Sequence, residues 1–107
     1  MEVRPRQIVH YETVNGDDPF ADSMTDLRGE DIHGIILTRL DRVRQGNLGN
    51  HKSVGKGVSE LIFDVGPGYR VYFGQDGNLI ILLLAGSKKT QADNILQAQK
   101  YWRDYHA

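Results

Sequence analysis

Residues 46–73, GNLGNHKSVGKGVSELIFDVGPGYRVYF, decide the fold. This stretch begins with a glycine- and lysine-rich segment of low apolar content, which predicts an exposed cationic loop. Two alternating runs follow, residues 58–65 and 69–73, and they predict two antiparallel strands. The turn between them contains Pro67 and Gly68, which fit positions i+1 and i+2 of a type II turn.

The alternation also predicts where Arg70 lies. Because successive side chains of a strand point to opposite faces, Arg70 is expected on the face of Glu60 and Ile62, opposite Tyr69. We expect this face to point outward beside the cationic loop, where it can hold a phosphate backbone. The alternative is a structural arginine that pairs with Glu60 or Asp64 on the neighbouring strand.

The rest of the chain predicts five further elements around this stretch. Asp18 followed by Pro19 is typical of a helix start, and Thr90 with Asp93 has the form of a capping box. The predicted order is strand, helix, helix, three antiparallel strands and helix, in an α+β fold with the helices packed on one sheet. We expect a single domain over residues 1–107. The elements outside the central stretch are predicted at residues 7–14, 19–27, 31–44, 79–84 and 90–105.

Composition limits the classes of protein that remain. The chain has 107 residues and no cysteine, which excludes disulfides and thiolate metal sites. No apolar run approaches the ~20 residues of a membrane helix, and the N-terminus lacks a signal-like apolar region. We therefore expect a cytoplasmic protein without a membrane partner. No metal-ligand spacing and no cofactor motif occurs in the sequence, so neither a metal nor a cofactor is expected.

The charges are segregated, although the net charge is only −1. The first 34 residues carry three Lys or Arg and eight Asp or Glu, whereas the remaining residues carry ten and six. Five cations and a single carboxylate lie between Arg39 and Lys56. This segregation allows a basic patch for a polyanion, with a mixed solvated surface as the alternative.

Two segments give the chain a family resemblance. GPGYRVYF and LLLAGSKKTQ, within the longer run from Arg39 to Trp102, resemble the phage-derived, HigB-like branch of the RelE/ParE toxin superfamily, the addiction-module killer proteins. The resemblance implies a small RelE-like α+β toxin of a type II toxin–antitoxin system. It also implies a ribosome-dependent endoribonuclease that cuts messenger RNA without a metal, and an antitoxin encoded in the adjacent gene, typically a helix-turn-helix protein.

Such RNA cleavage requires removal of the 2′-hydroxyl proton, stabilisation of the phosphorane and protonation of the 5′-oxygen. By resemblance, the catalytic residues are expected to be Arg70, Lys52 and Lys88. Arg70 is interpreted as a phosphate clamp on the sheet, and the lysines come from the loop and from the end of the last strand. The expected RNA-binding residues are Lys56, Lys89, His51 and Tyr101. An exposed histidine and a packed tyrosine are the structural alternatives for the last two.

Two departures from the family pattern keep other functions open. Similar proteins often carry arginine where Ile62 stands, and aspartate where Ser87 stands. The alternatives are a ParE-like toxin that inhibits DNA gyrase without nuclease chemistry, or a degenerate module that only binds the antitoxin.

Overall fold

The structure is a computed structural model that describes residues 5–29 and 31–107. Five strands form one sheet in the order β1-β5-β4-β3-β2. Strands β2 to β5 are antiparallel to their neighbours, and β1 adds parallel to β5 at the far edge. The elements are β1 (Gln7–His10), α1 (Pro19–Thr25), α2 (Ile32–Arg44), β2 (His51–Gly55), β3 (Val58–Phe63), β4 (Tyr69–Asp76), β5 (Leu79–Ser87), a short 3-10 helix (Lys88–Thr90) and α3 (Gln91–Tyr105).

Helices cover both faces of this sheet, which confirms the α+β class. Helices α1 and α2 pack on one face, where α2 buries a stripe of apolar residues that recur at helical spacing. Helix α3 packs on the other face through Ala98 and Trp102. The stripe of α2 consists of Ile32, Ile36, Leu40 and Val43.

The alternation of β3 and β4 is as predicted, but its consequence differs. Tyr69 and Val71 are buried in the cluster beneath α2, so Arg70 lies on the opposite face, as expected. That face does not point freely outward, because α3 lies across it and only 8% of Arg70 remains exposed. Apolar residues of α3 recur at helical spacing on one side of the helix. Burying that side requires a partner surface, which the sheet supplies.

Three local predictions are wrong. The cationic loop contains a fifth strand, β2, whose main chain pairs with β3 although its residues are mostly polar. The turn before β4 has Gly66 at i+1 with φ +52°, since the Gly68 amide donates to the Val65 carbonyl at 2.9 Å. Pro67 therefore occupies i+2, and the turn is not type II. At the start of α3, Thr90 makes no side-chain capping bond.

Other helix boundaries agree with the sequence. The Asp18 carboxylate accepts a hydrogen bond from the Ala21 amide at 3.0 Å and caps α1, with Pro19 in the first turn. Gly46, with φ +92°, ends α2 by donating to the Val43 carbonyl. None of the helices in the described ranges is long and apolar enough to span a lipid bilayer.

Candidate functional site

A buried carboxylate organises the candidate site. Glu60 lies on β3 with no exposed surface, paired across the sheet with Lys52 of β2. The Lys52 Nζ and the Arg70 Nε each lie 3.7 Å from Glu60 Oε1. Gln91, the first residue of α3, donates through Nε2 to both carboxylate oxygens at 3.1 and 3.0 Å. Residues from β2, β3, β4 and α3 therefore meet at one carboxylate.

Arg70 is held at this site by few hydrogen bonds. Its Nη1 donates to the Tyr69 carbonyl at 3.0 Å. Its Nε is buried and has no hydrogen-bond partner within the described part of the chain, because 3.7 Å to Glu60 is too long for one. The guanidinium thus keeps donors that an anion's oxygens can accept, and a planar fork suits phosphate.

Lys88 joins Arg70 from the other side. The Lys88 amide donates to the Gly68 carbonyl at 2.9 Å, which fixes the end of β5 against the turn before β4. A β-carbon placed on Gly68 would lie 3.3 Å from the Lys88 β-carbon and 3.7 Å from Arg70 Nη1. The glycine therefore keeps the space between the two cations open. Together with Lys52, they set three cations against one carboxylate.

Tyr72 adds a second polar group without a partner. Its side chain is fully buried beneath α3, and its hydroxyl has no hydrogen-bond partner among the described residues. Burial raises the pKa of Tyr72, and the nearby Glu60 carboxylate raises it further, while Arg70 opposes them. The phenol is therefore neutral at physiological pH. Glu60 and Tyr72 are closed to solvent, whereas Lys52 and Lys88 are exposed and accessible to a ligand.

We predict that Tyr72→Phe leaves stability unchanged or raises it by up to about 1 kcal/mol, because the hydroxyl is buried without a hydrogen bond. Its raised pKa also means that the folded state binds the phenolic proton more tightly than the unfolded chain does. The wild-type protein should therefore lose stability as pH rises above ~10, and phenylalanine should reduce that alkaline loss. Urea unfolding at pH 7 and above pH 10 tests both; a loss above ~1 kcal/mol at pH 7 would contradict the first.

No group of three His, Asp or Glu side chains in residues 5–29 and 31–107 is arranged to hold a metal ion. The polar groups of the site are cationic or amide donors around a single carboxylate, and donors of this kind bind anions rather than cations.

Comparison with known proteins gives one relative. A protein of Haemophilus influenzae (strain ATCC 51907 / DSM 11121 / KW20 / Rd), named only "Uncharacterized protein", is 49% identical over 65 residues. The match covers 60% of this chain and 66% of the relative, just under two thirds of its length. No protein-family model matches the chain, and no solved structure matches it.

The structure brings together the three residues predicted to be catalytic. Lys52 and Arg70 meet at Glu60, and Lys88 lies beside Arg70 at Gly68. Lys52 belongs to strand β2 rather than to a loop, so its position is fixed by pairing with β3. The alternative for Arg70, a structural pairing with Glu60 or Asp64, is also met in part, since its Nε lies 3.7 Å from Glu60 Oε1.

The four residues predicted to bind RNA do not share one place. His51 precedes Lys52 on β2 and so projects from the opposite face, with its Nδ1 donating to the Gly49 carbonyl at 2.8 Å. Lys56 lies in the β2–β3 turn beside the C-terminal half of α3. Lys89 is exposed in the 3-10 helix. Tyr101 packs against Tyr11, with 5.3 Å between the ring centroids, and not at the Glu60 site.

Two contributors to the site were not predicted as functional residues. Glu60 appeared only as a structural partner for Arg70, although its place between buried Val58 and half-buried Ile62 on one strand face indicates a buried carboxylate. Gln91 gives no signal in the sequence, because its role depends on where α3 crosses the sheet. Arg39 also lies outside the prediction: its Nη2 donates to the Ile62 carbonyl at 2.6 Å, on the α2 side.

Proposed function

We propose that this protein is the toxin of a type II toxin–antitoxin system and acts as a ribosome-dependent messenger RNA endoribonuclease. The observation that carries the proposal is the convergence of Lys52 and Arg70 on Glu60, with Lys88 and Arg70 both bordering Gly68. The resemblance of the GPGYRVYF and LLLAGSKKTQ segments supports the same function. The proposed reaction needs no metal and no cofactor.

In this proposal Arg70 binds the scissile phosphate and stabilises the negative charge that grows on it during cleavage. Its position beneath α3 lowers the local dielectric, which strengthens such an interaction. Lys52 and Lys88 are the exposed cations of the site, and they neutralise the flanking phosphates and exchange protons with the 2′- and 5′-oxygens. Glu60 orients Arg70 and Lys52 and does not contact RNA.

The proposal includes partners and a compartment. Messenger RNA on the ribosome is the substrate, and the site of action is the cytoplasm. A cognate antitoxin, proposed as a helix-turn-helix protein from the adjacent gene, neutralises the toxin. An acidic antitoxin segment would complement the three cations, and such complementarity speeds association.

Expression of the chain alone in a bacterium is expected to stop growth, and co-expression of the adjacent gene is expected to restore it. Transcripts from the arrested cells should carry new 5′ ends within translated regions, because cleavage depends on the ribosome. The control is Arg70→Ala at matched soluble expression. Normal growth with verified soluble wild-type protein would contradict the toxin proposal.

A second candidate rests on the burial of Arg70. An arginine that is 8% exposed and lies 3.7 Å from a buried carboxylate fits a structural role, and Ile62 beside it supplies no charge. These observations favour a toxin without nuclease activity, such as a ParE-like gyrase inhibitor, or a module that only binds the antitoxin. Growth arrest without new transcript ends, accompanied by inhibited DNA supercoiling, would identify the gyrase inhibitor.

A further inference from the structure

The surface along which β2 and α3 meet, called the seam below, continues away from the candidate site. Strand β2 and helix α3 run side by side in the same direction: Lys52 and Gln91 meet at Glu60, and further on Gln99 Nε2 donates to the Val54 carbonyl at 3.0 Å. The part of α3 from Gln91 to Arg103 extends for about 18 Å. The site at Glu60 therefore occupies only one end of a longer surface.

The far end of this seam is cationic. A cavity of about 410 Å³ there is lined by Lys56, Lys100 and Arg103, with the His106 imidazole at its edge. None of the described residues that line it carries a carboxylate. Arg103 has only a weak ion pair, 4.0 Å from Asp104, and its side chain is 75% exposed. Lys56, Lys100 and Arg103 are all exposed, and an exposed pair of this kind contributes little, so these charges are accessible to an anion.

Apolar and aromatic groups accompany these cations. Leu96 on the same side of α3 is 67% exposed, and the Trp102 ring, stacked on Tyr105 at 5.0 Å between centroids, forms part of the cavity wall. Single-stranded nucleic acids bind to grooves that combine cations for the backbone with apolar or aromatic surface for bases.

We propose that the seam between β2 and α3 binds the single-stranded RNA that flanks the scissile phosphate, with Lys56, Lys100 and Arg103 on its phosphates. This inference rests on the proposed function for the identity of the polyanion. The surface is continuous with Lys52 and with the Arg70 site. It is long enough for several phosphates, because a stacked strand rises ~3.4 Å along its axis per nucleotide. Lys56, which the sequence predicted to bind RNA, therefore lies on the seam and not at the Arg70 site.

The test compares two triple variants of the full chain that each lose three positive charges. The seam variant is Lys56→Gln, Lys100→Gln and Arg103→Gln. The control variant is Arg28→Gln, Arg42→Gln and Arg44→Gln, which alters exposed cations away from the seam. The probe is a ten-nucleotide 2′-O-methyl RNA of mixed sequence, which cannot be cleaved, and binding is measured by fluorescence anisotropy from 50 to 300 mM salt.

The seam variant is expected to bind the probe at least about ten-fold more weakly at low salt. Its salt dependence, as the slope of log K against log[salt], should fall by about 2, since each single-strand phosphate contact contributes ~0.7. The control variant should change affinity by less than about three-fold. Equal losses in both variants, or no loss in the seam variant, would overturn the proposal.

Two further measurements separate this inference from its alternatives. A polyglutamate peptide of matched charge distinguishes an acidic protein partner: if the seam variant loses binding to the peptide but keeps RNA affinity, the seam is not an RNA surface. Cleavage of messenger RNA on ribosomes is measured independently. If the wild type cleaves and the seam variant binds RNA normally, the inference fails alone. If the seam variant loses RNA binding and the wild type cleaves nothing, the proposed function fails alone.

Discussion

Replacing Arg70 with alanine is expected to lower single-turnover cleavage of ribosome-bound messenger RNA by about 10²–10³ per folded molecule, the usual loss for one transition-state donor. The same change is expected to destabilise the fold by ~2–3 kcal/mol, because it leaves the buried Glu60 with less compensating charge. Loss of one partner of a closely bonded buried pair costs ~3–5 kcal/mol. We expect a smaller cost for Arg70→Ala, because Arg70 and Glu60 are 3.7 Å apart and Gln91 also donates hydrogen bonds to the carboxylate.

Burial changes what this variant can show. The sequence predicted an outward-pointing face for Arg70, and on such a face Arg70→Ala would leave folding nearly intact. Since α3 covers that face, a loss of activity in Arg70→Ala can arise from unfolding alone. The experiment therefore needs a background in which the charge of Glu60 is absent.

Glu60→Gln supplies that background. Glutamine removes the buried charge while keeping an oxygen that accepts a hydrogen bond from Gln91, so adding Arg70→Ala should then cost at least about 1 kcal/mol less than in the wild type. The fall in cleavage caused by Arg70→Ala should remain at about 10²–10³ within this background. Arg70→Lys should recover only part of the rate, because lysine lacks the planar fork.

Unfolding is followed by circular dichroism in urea, and cleavage is normalised to the folded fraction. If the cost in stability is unchanged by Glu60→Gln and cleavage per folded molecule is the same with and without Arg70, the arginine is structural. The second candidate function would then be preferred.

The sequence predicted the architecture well because its signals are local and periodic. The burial of Ile32, Ile36, Leu40 and Val43 follows from their spacing, and the faces of β3 and β4 follow from alternation. Strand β2 was missed because main-chain pairing holds it in the sheet, whereas its residues carry no apolar alternation. Such an edge strand has no signature in its own side chains.

The candidate site was only partly predictable for a related reason. Arg70 was placed on the correct face by alternation, and Lys52 and Lys88 were named by resemblance. The approach of Lys52 and Arg70 to Glu60, with Lys88 at the neighbouring Gly68, depends on the pairing of four strands. The arrival of Gln91 depends on where α3 crosses the sheet, and nothing in residues 90–105 specifies that crossing. The amphipathic pattern of α3 requires a partner surface, and it does not identify which one.

Two glycines of the strands and turns beneath α3 lie against the indole ring of Trp102. A β-carbon built on Gly74 of β4 would overlap Cε3 and Cζ3 of Trp102, and one built on Gly57 would lie 2.6 Å from its Nε1. Trp102 is 7% exposed, and its ring is fixed from the other side by stacking on Tyr105. The ring therefore packs directly on the sheet, and the absence of a side chain at position 74 permits this contact.

We predict that Gly74→Ala destabilises the protein by about 3 kcal/mol, at the upper end of the ~1–3 kcal/mol typical of an overfilled core, because a rigid indole cannot move aside. Gly34→Ala is the matched control: a β-carbon there meets nothing within 4 Å, and the position lies on the exposed side of α2. Since alanine favours a helix over glycine, Gly34→Ala should raise stability by ~0.5–1 kcal/mol. Urea unfolding of both variants measures the two changes.

The cause is tested by a double-mutant cycle with Trp102→Phe, which removes the outer ring of the indole. If contact with that ring causes the loss, Gly74→Ala should cost at least about 1 kcal/mol less in the Trp102→Phe background. Displacement of α3 should also weaken the hydrogen bonds from Gln91 to Glu60, and amide hydrogen exchange should then rise along α3 but not along α2. Equal costs in both backgrounds, with exchange unchanged along α3, would mean that this contact does not determine where the helix docks.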